Sequence, residues 1–509
     1  MRVGVDVGGT NTDAVLLDGA ELAAQAKRPT TGDVTSGIVA ALDAVLRDAP
    51  PGAAIDGVML GTTHFVNALL ERRGLAPTAV VRLAVPATRL LHPLVDWPDD
   101  LKAAIGGVFY MAHGGHEFDG KEISALDDGE IRAVGRLLRQ DGIEAAAVCG
   151  VFSAVDASHE ERAAALLCEE APHLRVSLSH QIGRVGILER ENATALNAAL
   201  SLTAERTIGA IREAMARLGL DAPLYLTQND GTLMQADYAA SYPVFTIASG
   251  PTNSMRGAAF LSGVRDGIVV DVGGTSTDVG ALVHGFPREA SVAVSIAGVR
   301  TNFRMPDVVS TGLGGGSIVS AEPLAVGPRS VAYRLTEEAL CFGGGVLTAT
   351  DLVVAGGLAS VGDAAPAVRG LRLIQRRVED LIDRMKVAAG PVPVVLVGGG
   401  NILLPDNLEG ASEALRPAHA EVANAIGAAI AQVSGQVEQV FSLDGQDRGQ
   451  ALAAAKRDAV AKAVAAGADP ATVELVEVDE IPLTYLPSNA LRVRAKAAGD
   501  LLAAPQRGS

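Results

Sequence analysis

The chain has 509 residues, 48% of them apolar but only 3% aromatic, with a net charge of −17. That length supports two to four domains or one large two-lobed unit, and an acidic chain with dispersed Lys and Arg lacks the basic patch that nucleic acid requires. Three cysteines without metal-ligand spacing, the lack of a signal-peptide pattern and of any run near the ~20 apolar residues that span a bilayer point to a cytoplasmic protein with no membrane partner.

The first predicted element is a β-branched strand, Val3–Val7, which runs into Gly8-Gly9-Thr10 and is followed by a second apolar run, Ala14–Leu17. Short flanks rich in β-formers predict a hairpin. A dinucleotide fingerprint would instead open a helix, and a Walker loop would need Gly-Lys-Ser/Thr. Further along, a short strand at Gly57–Leu60 leads to Thr62-Thr63, expected to cap a helix over His64–Arg73. A strand at Ala79–Leu83 and a loop at His92–Asp100 follow. The loop His113–Gly120 holds His113 and His116 with Asp119, a spacing compatible with a metal but more often a solvated turn. Strands at Ala145–Val151 and Val176–Ser179 alternate with helices at Ala125–Asp141 and Ser158–Ala171. A long helix spans Leu188–Leu218, and the strand Leu224–Thr227 ends on Gln228-Asn-Asp-Gly231.

A helix starting at Ser249-Gly-Pro precedes the chain's most informative feature. Val270–Asp278 reads VDVGGTSTD, against VDVGGTNTD at Val5–Asp13. The two stretches differ only at Asn11 and Ser276, so two distant halves each contribute an equivalent turn. Glycine turns expose backbone N–H groups and form anion-binding concavities. Gly8, Gly9, Thr10, Asn11 and Thr12, facing Gly273, Gly274, Thr275 and Ser276, are expected to clamp a polyphosphate from both sides. Asp6 and Asp271 stand at the strand ends as the catalytic pair, holding Mg²⁺ through water or orienting an attacking water. Asp13 and Asp278 are further candidate metal ligands. Positioning and charge neutralisation of this kind suit phosphoryl transfer.

Downstream, the glycine loop Thr311–Ser317, which includes Gly315, is a further anion-friendly backbone. The strand Val394–Val397 ends on Gly398-Gly399-Gly400-Asn401, a ligand crevice of the type found at strand C-termini and the candidate adenosine contact. Thr62, Thr63, His64, Asn229 and Asp230 are candidate substrate residues. Helices are expected at Ala367–Ala388, Ala420–Val433 and Gly449–Ala466, a strand at Val473–Val478 and a helix at Ala490–Ala504. The alternation of strands and helices predicts an α/β protein with largely parallel sheets. The expected divisions are a first lobe at 1–180, a second at 181–485 and a C-terminal helix or tail at 486–509.

The hairpin, hairpin and glycine loop, in that order, resemble the superfamily of actin, the heat-shock chaperone ATPases and the sugar kinases. Closer still, the chain resembles the A-type subunit of the hydantoinase/oxoprolinase family. The resemblance is carried by VGVDVGGTNTDAVL (Val3–Leu16), GTTHFVNALLERRG (Gly61–Gly74), ERENATALNAAL (Glu189–Leu200), SGPTNSMRGA (Ser249–Ala258), DVGGTSTDVG (Asp271–Gly280) and STGLGGGSI (Ser310–Ile318). It implies a two-lobed, actin-like (duplicated ribonuclease H-like) ATPase fold with an interlobe nucleotide cleft, and ATP and Mg²⁺ as cofactors. It implies ATP-dependent opening of a cyclic amide such as a hydantoin, lactam or oxoproline, with a B-type partner subunit in an oligomer. A related branch carboxylates ketones. The rival readings are a small-molecule kinase and a nucleotide-switched reactivating factor.

Overall fold

The computed structural model describes residues 1–30, 34–50, 53–183, 185–290, 294–302, 304–357, 365–443, 447–483 and 490–502. Two five-strand units repeat the same pairing. In the first, β1 (Arg2–Val7), β2 (Asn11–Asp18), β3 (Glu21–Pro29), β4 (Gly57–Thr62) and β5 (Leu224–Thr227) lie in the order β3-β2-β1-β4-β5. In the second, β6 (Gly267–Val272), β7 (Thr277–Val283), β8 (Val308–Thr311), β9 (Val392–Val397) and β10 (Ala411–Leu415) lie in the order β8-β7-β6-β9-β10. In both units the first three strands pair antiparallel and the rest parallel. This duplication is the two-lobed architecture expected from the repeated motif.

Period-two alternation sends Val3, Val5 and Val7 into the core on one face of β1 and turns Gly4 and Asp6 to the other. On that second face lies helix α2 (Ala423–Ala429), whose Ala425 and Ile426 pack on Val15 and Leu17. Helix α1 (Ser249–Ser262) covers the matching face of the second unit through Met255 and Ala258 against Val269. The two helices cross so closely that a Cβ on Gly427 would overlap the Asn253 carbonyl, and one on Gly257 that of Ala423. Together they form the floor between the lobes.

A separate parallel sheet, ordered 108–113, 78–85, 145–150, 175–178, forms its own layer. The first unit also grows to nine strands by adding Thr232–Gln235, Gln432–Ser442, Ala490–Gly499 and Glu474–Leu483. Three expectations are corrected here. The helix expected over Ala420–Val433 ends at Ala429, and a strand begins at Gln432. The tail from Ala490 is a strand, because Leu491, Val493, Ala495 and Ala497 are buried while Arg492, Arg494 and Lys496 alternate with them; Ala503 and Ala504 lie outside the described residues. The sheets also do not follow the contiguous ranges 1–180 and 181–485, since residues 224–235 and 432–499 pair into the first unit.

Candidate functional site

The two hairpins are built alike down to the register. Asp6 pairs with Asp13 and Val7 with Thr12; Asp271 pairs with Asp278 and Val272 with Thr277. Each turn is closed by one bond, Gly8 N–H to Asn11 O at 3.0 Å and Gly273 N–H to Ser276 O at 2.8 Å. The turns meet tip to tip about a pseudo-twofold axis. A Cβ on Gly9 would stand 3.6 Å from Thr275 Oγ1, and one on Gly274 would overlap the Thr10 side chain. A phosphate entering between the tips must therefore part the lobes. Among the described residues, the Gly9, Thr10, Gly274 and Thr275 amides donate to no protein acceptor. These N–H groups, two from each lobe, lie at the touching tips, and unpaired turn amides are the kind of group that binds anions. Thr12 and Thr277 instead turn inward, Thr277 Oγ1 donating to Leu313 O at 2.6 Å.

Beneath the turns lie the four aspartates. Asp6 is buried; its Oδ2 accepts from Asn424 Nδ2 at 2.9 Å, and its Oδ1 has no hydrogen-bond partner. Burial, with the charges of Asp13 and Asp271, pushes its carboxyl up to about 7 against the opposing Asn253 and Asn424 amides. Burial also raises Asp271, although the residue is partly exposed. The outer pair has own-lobe partners. Asp13 Oδ1 holds Lys27 Nζ at 2.5 Å, which counters part of a burial-driven rise. Asp278 accepts from the Ser310 hydroxyl and is pushed to about 6, chiefly by burial and then by Asp271. Three partners here, Lys27, Asn253 and Asn424, were not singled out from sequence. Asn253 lies within the SGPTNSMRGA stretch; nothing in the local sequence marks Lys27 or Asn424.

Both downstream glycine loops pack on the second turn. The Gly315 amide donates to Gly273 O at 3.0 Å and the Gly316 amide to Gly274 O at 2.7 Å. Gly315 thus braces the turn, and its N–H is not available to an anion. Gly398 and Gly400 donate to Ala420 O and Val272 O, and Asn401 Nδ2 donates to Gly398 O at 2.7 Å. A Cβ on Gly398 would strike the Asp271 carboxylate, while the space around Gly399 is open. The loop therefore lies directly beside Asp271, with Gly399 as its open position.

Thr62, Thr63 and His64 stand beside the first turn, since β4 runs parallel to β1 with Thr62 opposite Val7. Thr63 Oγ1 donates to Val7 O at 3.2 Å, and Thr62 Oγ1 accepts from His64 N at 3.1 Å. Thr63 occupies the N-cap of the helix His64–Glu71 without a side-chain cap bond. Half-buried His64 is held below its usual pKa by burial. Asn229 and Asp230 go elsewhere. They line a cavity of about 280 Å³ with Phe286, Arg304, Glu477 and Lys496, which no turn residue lines. Asp230 Oδ2 is 2.8 Å from Lys496 Nζ with both side chains buried, and Asn229 Nδ2 donates to Arg304 O.

The histidines separate. His113 contacts Glu130 at 3.1 Å, and Asp119 pairs with Lys121 at 2.7 Å. His116 packs against His159 with ring centroids 4.3 Å apart and the rings tilted by 36°. Among the described residues, His116, Glu122 and His159 are the one group placed to share a metal, their ligand atoms lying within 4.8 Å. The Gly115 N–H, however, donates to His159 Nδ1 at 3.0 Å, leaving the proton on Nε2, which faces Glu122 Oε1 at 3.3 Å. A ligating imidazole needs the opposite arrangement, its distal nitrogen donating.

Comparison with known proteins bears on the family and the fold. The family model described as hydantoinase/oxoprolinase N-terminal region matches residues 2–171, and the hydantoinase/oxoprolinase model matches residues 190–361. The caprolactamase subunit alpha of Pseudomonas jessenii is 30% identical over 424 residues, 76% of this chain and 58% of the relative. The acetophenone carboxylase gamma subunit of Aromatoleum aromaticum is 28% identical over 390 residues, 69% of this chain and 52% of the relative. The chain thus spans about half the length of these curated relatives. The solved structure of ATP-dependent caprolactamase from Pseudomonas jessenii superposes with a TM-score of 0.73 at 20% identity, covering 100% of this chain and 90% of that one. Nucleotide-free acetone carboxylase gives 0.71 at 17%, covering 98% and 88%. Both share the fold. With the two family models matched in order along the chain and the duplicated turns set face to face, the chain belongs to the hydantoinase/oxoprolinase family.

Proposed function

We propose that this chain is the ATP-binding subunit of an ATP-dependent enzyme that activates a cyclic amide for ring opening. The observation that carries the reading is the pair of opposed turns, with free amides at Gly9, Thr10, Gly274 and Thr275 above buried carboxylates. Free amides suit phosphate oxygens. The Gly398–Asn401 loop, beside Asp271 and open at Gly399, suits the adenosine end.

The donor set also fits Mg²⁺. Asp6 Oδ1, Thr10 Oγ1 and Asn253 Oδ1 are buried without hydrogen-bond partners, and such orphaned oxygens call for a ligand or water. Asp6 and Asp271 are the residues to hold the ion through its waters, and when bound it would neutralise charge on the phosphates. Asp13 and Asp278, engaged by Lys27 and Ser310, then act as braces. Substrate would enter on the Thr62–His64 side of the first turn. Phosphorylation of the amide oxygen leaves a ring carbon open to attack by water, and orienting that water falls to Asp6 and Asp271.

The cyclic-amide assignment follows the likeness to caprolactamase subunit alpha, and the fact that both relatives are subunits supports a partner subunit, which we take to be of the B type. The test is ATP consumption by the chain with a B-type subunit, across hydantoins, lactams and ketones with and without bicarbonate. ATP consumption stimulated by a cyclic amide is expected. The likeness to acetophenone carboxylase favours one second reading, ketone carboxylation, which bicarbonate-dependent turnover of a ketone would establish instead. Persistent phosphorylated product would indicate a kinase, and ATP binding without substrate stimulation a switch.

A further inference from the structure

The two hairpins are nearly identical in sequence, yet their third strands differ, and the difference sets a cation beside the outer aspartate of one lobe only. In the first lobe the register aligns Gly61, Asp6, Asp13 and Lys27 across β4, β1, β2 and β3, so these residues share one face. In the second lobe the same row reads Val397, Asp271, Asp278 and Ser310. The outer aspartate thus meets an ammonium in one lobe and a hydroxyl in the other. Lys27 Nζ sits 2.5 Å from Asp13 Oδ1 and donates to Glu421 O at 3.3 Å. Asp13 is 7% exposed against 37% for the lysine side chain, which leaves the ammonium an open side. Burial raises both Asp13 and Asp271, and the Lys27 charge opposes that rise in each lobe.

Charge balance shows what such a cation does. Among the described residues, Lys27 is the one cation in the set of main groups acting on Asp6, Asp13, Asp271 or Asp278. A polyphosphate brought among four carboxylates meets like-charge repulsion. One divalent ion held by the inner pair leaves the outer carboxylates and the phosphates in conflict. We propose that Lys27, held in place by Asp13, binds the phosphate oxygens of the nucleotide directly, making the first hairpin the cationic half of an unequal clamp. The inference rests on the nucleotide reading above. The competing role is structural, with Lys27 only neutralising Asp13 and pinning the Glu421 carbonyl.

Calorimetry with ATP, ADP and adenosine in Mg²⁺ separates the two roles, with thermal unfolding as the check on folding. Lys27→Met is expected to weaken ATP binding about 10- to 100-fold, the worth of a charge-assisted hydrogen bond, while adenosine binding is unchanged. Adding Asp13→Asn to Lys27→Met is expected not to restore ATP affinity, since the phosphate partner is still missing. Lys27→Arg, which keeps the charge, should stay within about threefold of wild type, and gives a second reading if the methionine variant fails to fold. ATP affinity unchanged in Lys27→Met, or restored in the double variant, would overturn the proposal. Failure of the wild-type chain to bind ATP would overturn the nucleotide reading beneath it.

Discussion

Asp6 is ionised at a cost when the cleft is empty. Its folded pKa of about 7 lies above the unfolded 3.8, so the folded chain holds a proton that the unfolded chain releases. Stability of the ligand-free protein should therefore fall as pH rises from about 4 to about 7 and level off above. The ceiling is roughly 4 kcal/mol for a shift of about three units. Asp6→Asn removes the penalty. In EDTA the variant is expected to unfold at higher temperature than wild type at pH 8 and at about the same temperature at pH 4. Parallel melting profiles across that range would contradict the assignment. Asp230 behaves in the opposite way. Burial pushes its carboxyl up, but the Lys496 ammonium and the Thr232 bonds outweigh this and hold it below the usual range. Lys496→Met leaves that charge buried without its ammonium partner, and should cost about 3–5 kcal/mol in urea unfolding. Adding Asp230→Asn should recover much of the loss; a single-variant cost under about 1 kcal/mol would show the pair to be solvated.

At the level of elements, α1 and α2 make the site as much as the hairpins do. Asn253 on α1 and Asn424 on α2 both act on the Asp6 carboxylate, and the close crossing at Gly257 and Gly427 sets their separation. Gly427→Val would drive a side chain into the Asn253 backbone. It should cost at least the ~1–3 kcal/mol typical of overpacking and weaken ATP binding by displacing both asparagines; unaltered melting and binding would place the floor elsewhere. Sequence legibility followed the periodicity. The hairpins, the 224–227 and 392–397 strands and the helix after Ser249 are readable because their β-branched runs, glycine turns and start signals agree. The strand β3 is not, because ELAAQAKRP is half-exposed and poor in β-formers, and with it Lys27 escaped notice. The tail at Ala490–Gly499 misled through its alanines, whose helix propensity yields to a period-two burial pattern against the sheet. The roles of Gly315 and Asn229 were equally hidden, since each depends on long-range contacts: Gly315 on the 273–276 turn and Asn229 on Arg304.

Across the whole molecule, the repeat visible in sequence becomes two lobes joined at a crossed-helix floor, with both turn tips touching above it. The chain's end returns to the first lobe and widens its sheet to nine strands. Lys496, on one of these added strands, closes the cavity around Asp230. Under the proposed clamp, touching tips make nucleotide entry and lobe opening one event, which ties affinity to the Thr10–Gly274 contact. Calorimetric titration of Mg²⁺-ATP into the wild-type chain and Gly274→Val therefore tests the phosphate clamp most directly. Wild type is expected to bind, and the variant, whose side chain overlaps Thr10 and wedges the turns, to lose at least about 100-fold in affinity while still melting cooperatively. No binding by the wild-type chain, or equal binding by the two, would contradict a clamp built from these turns.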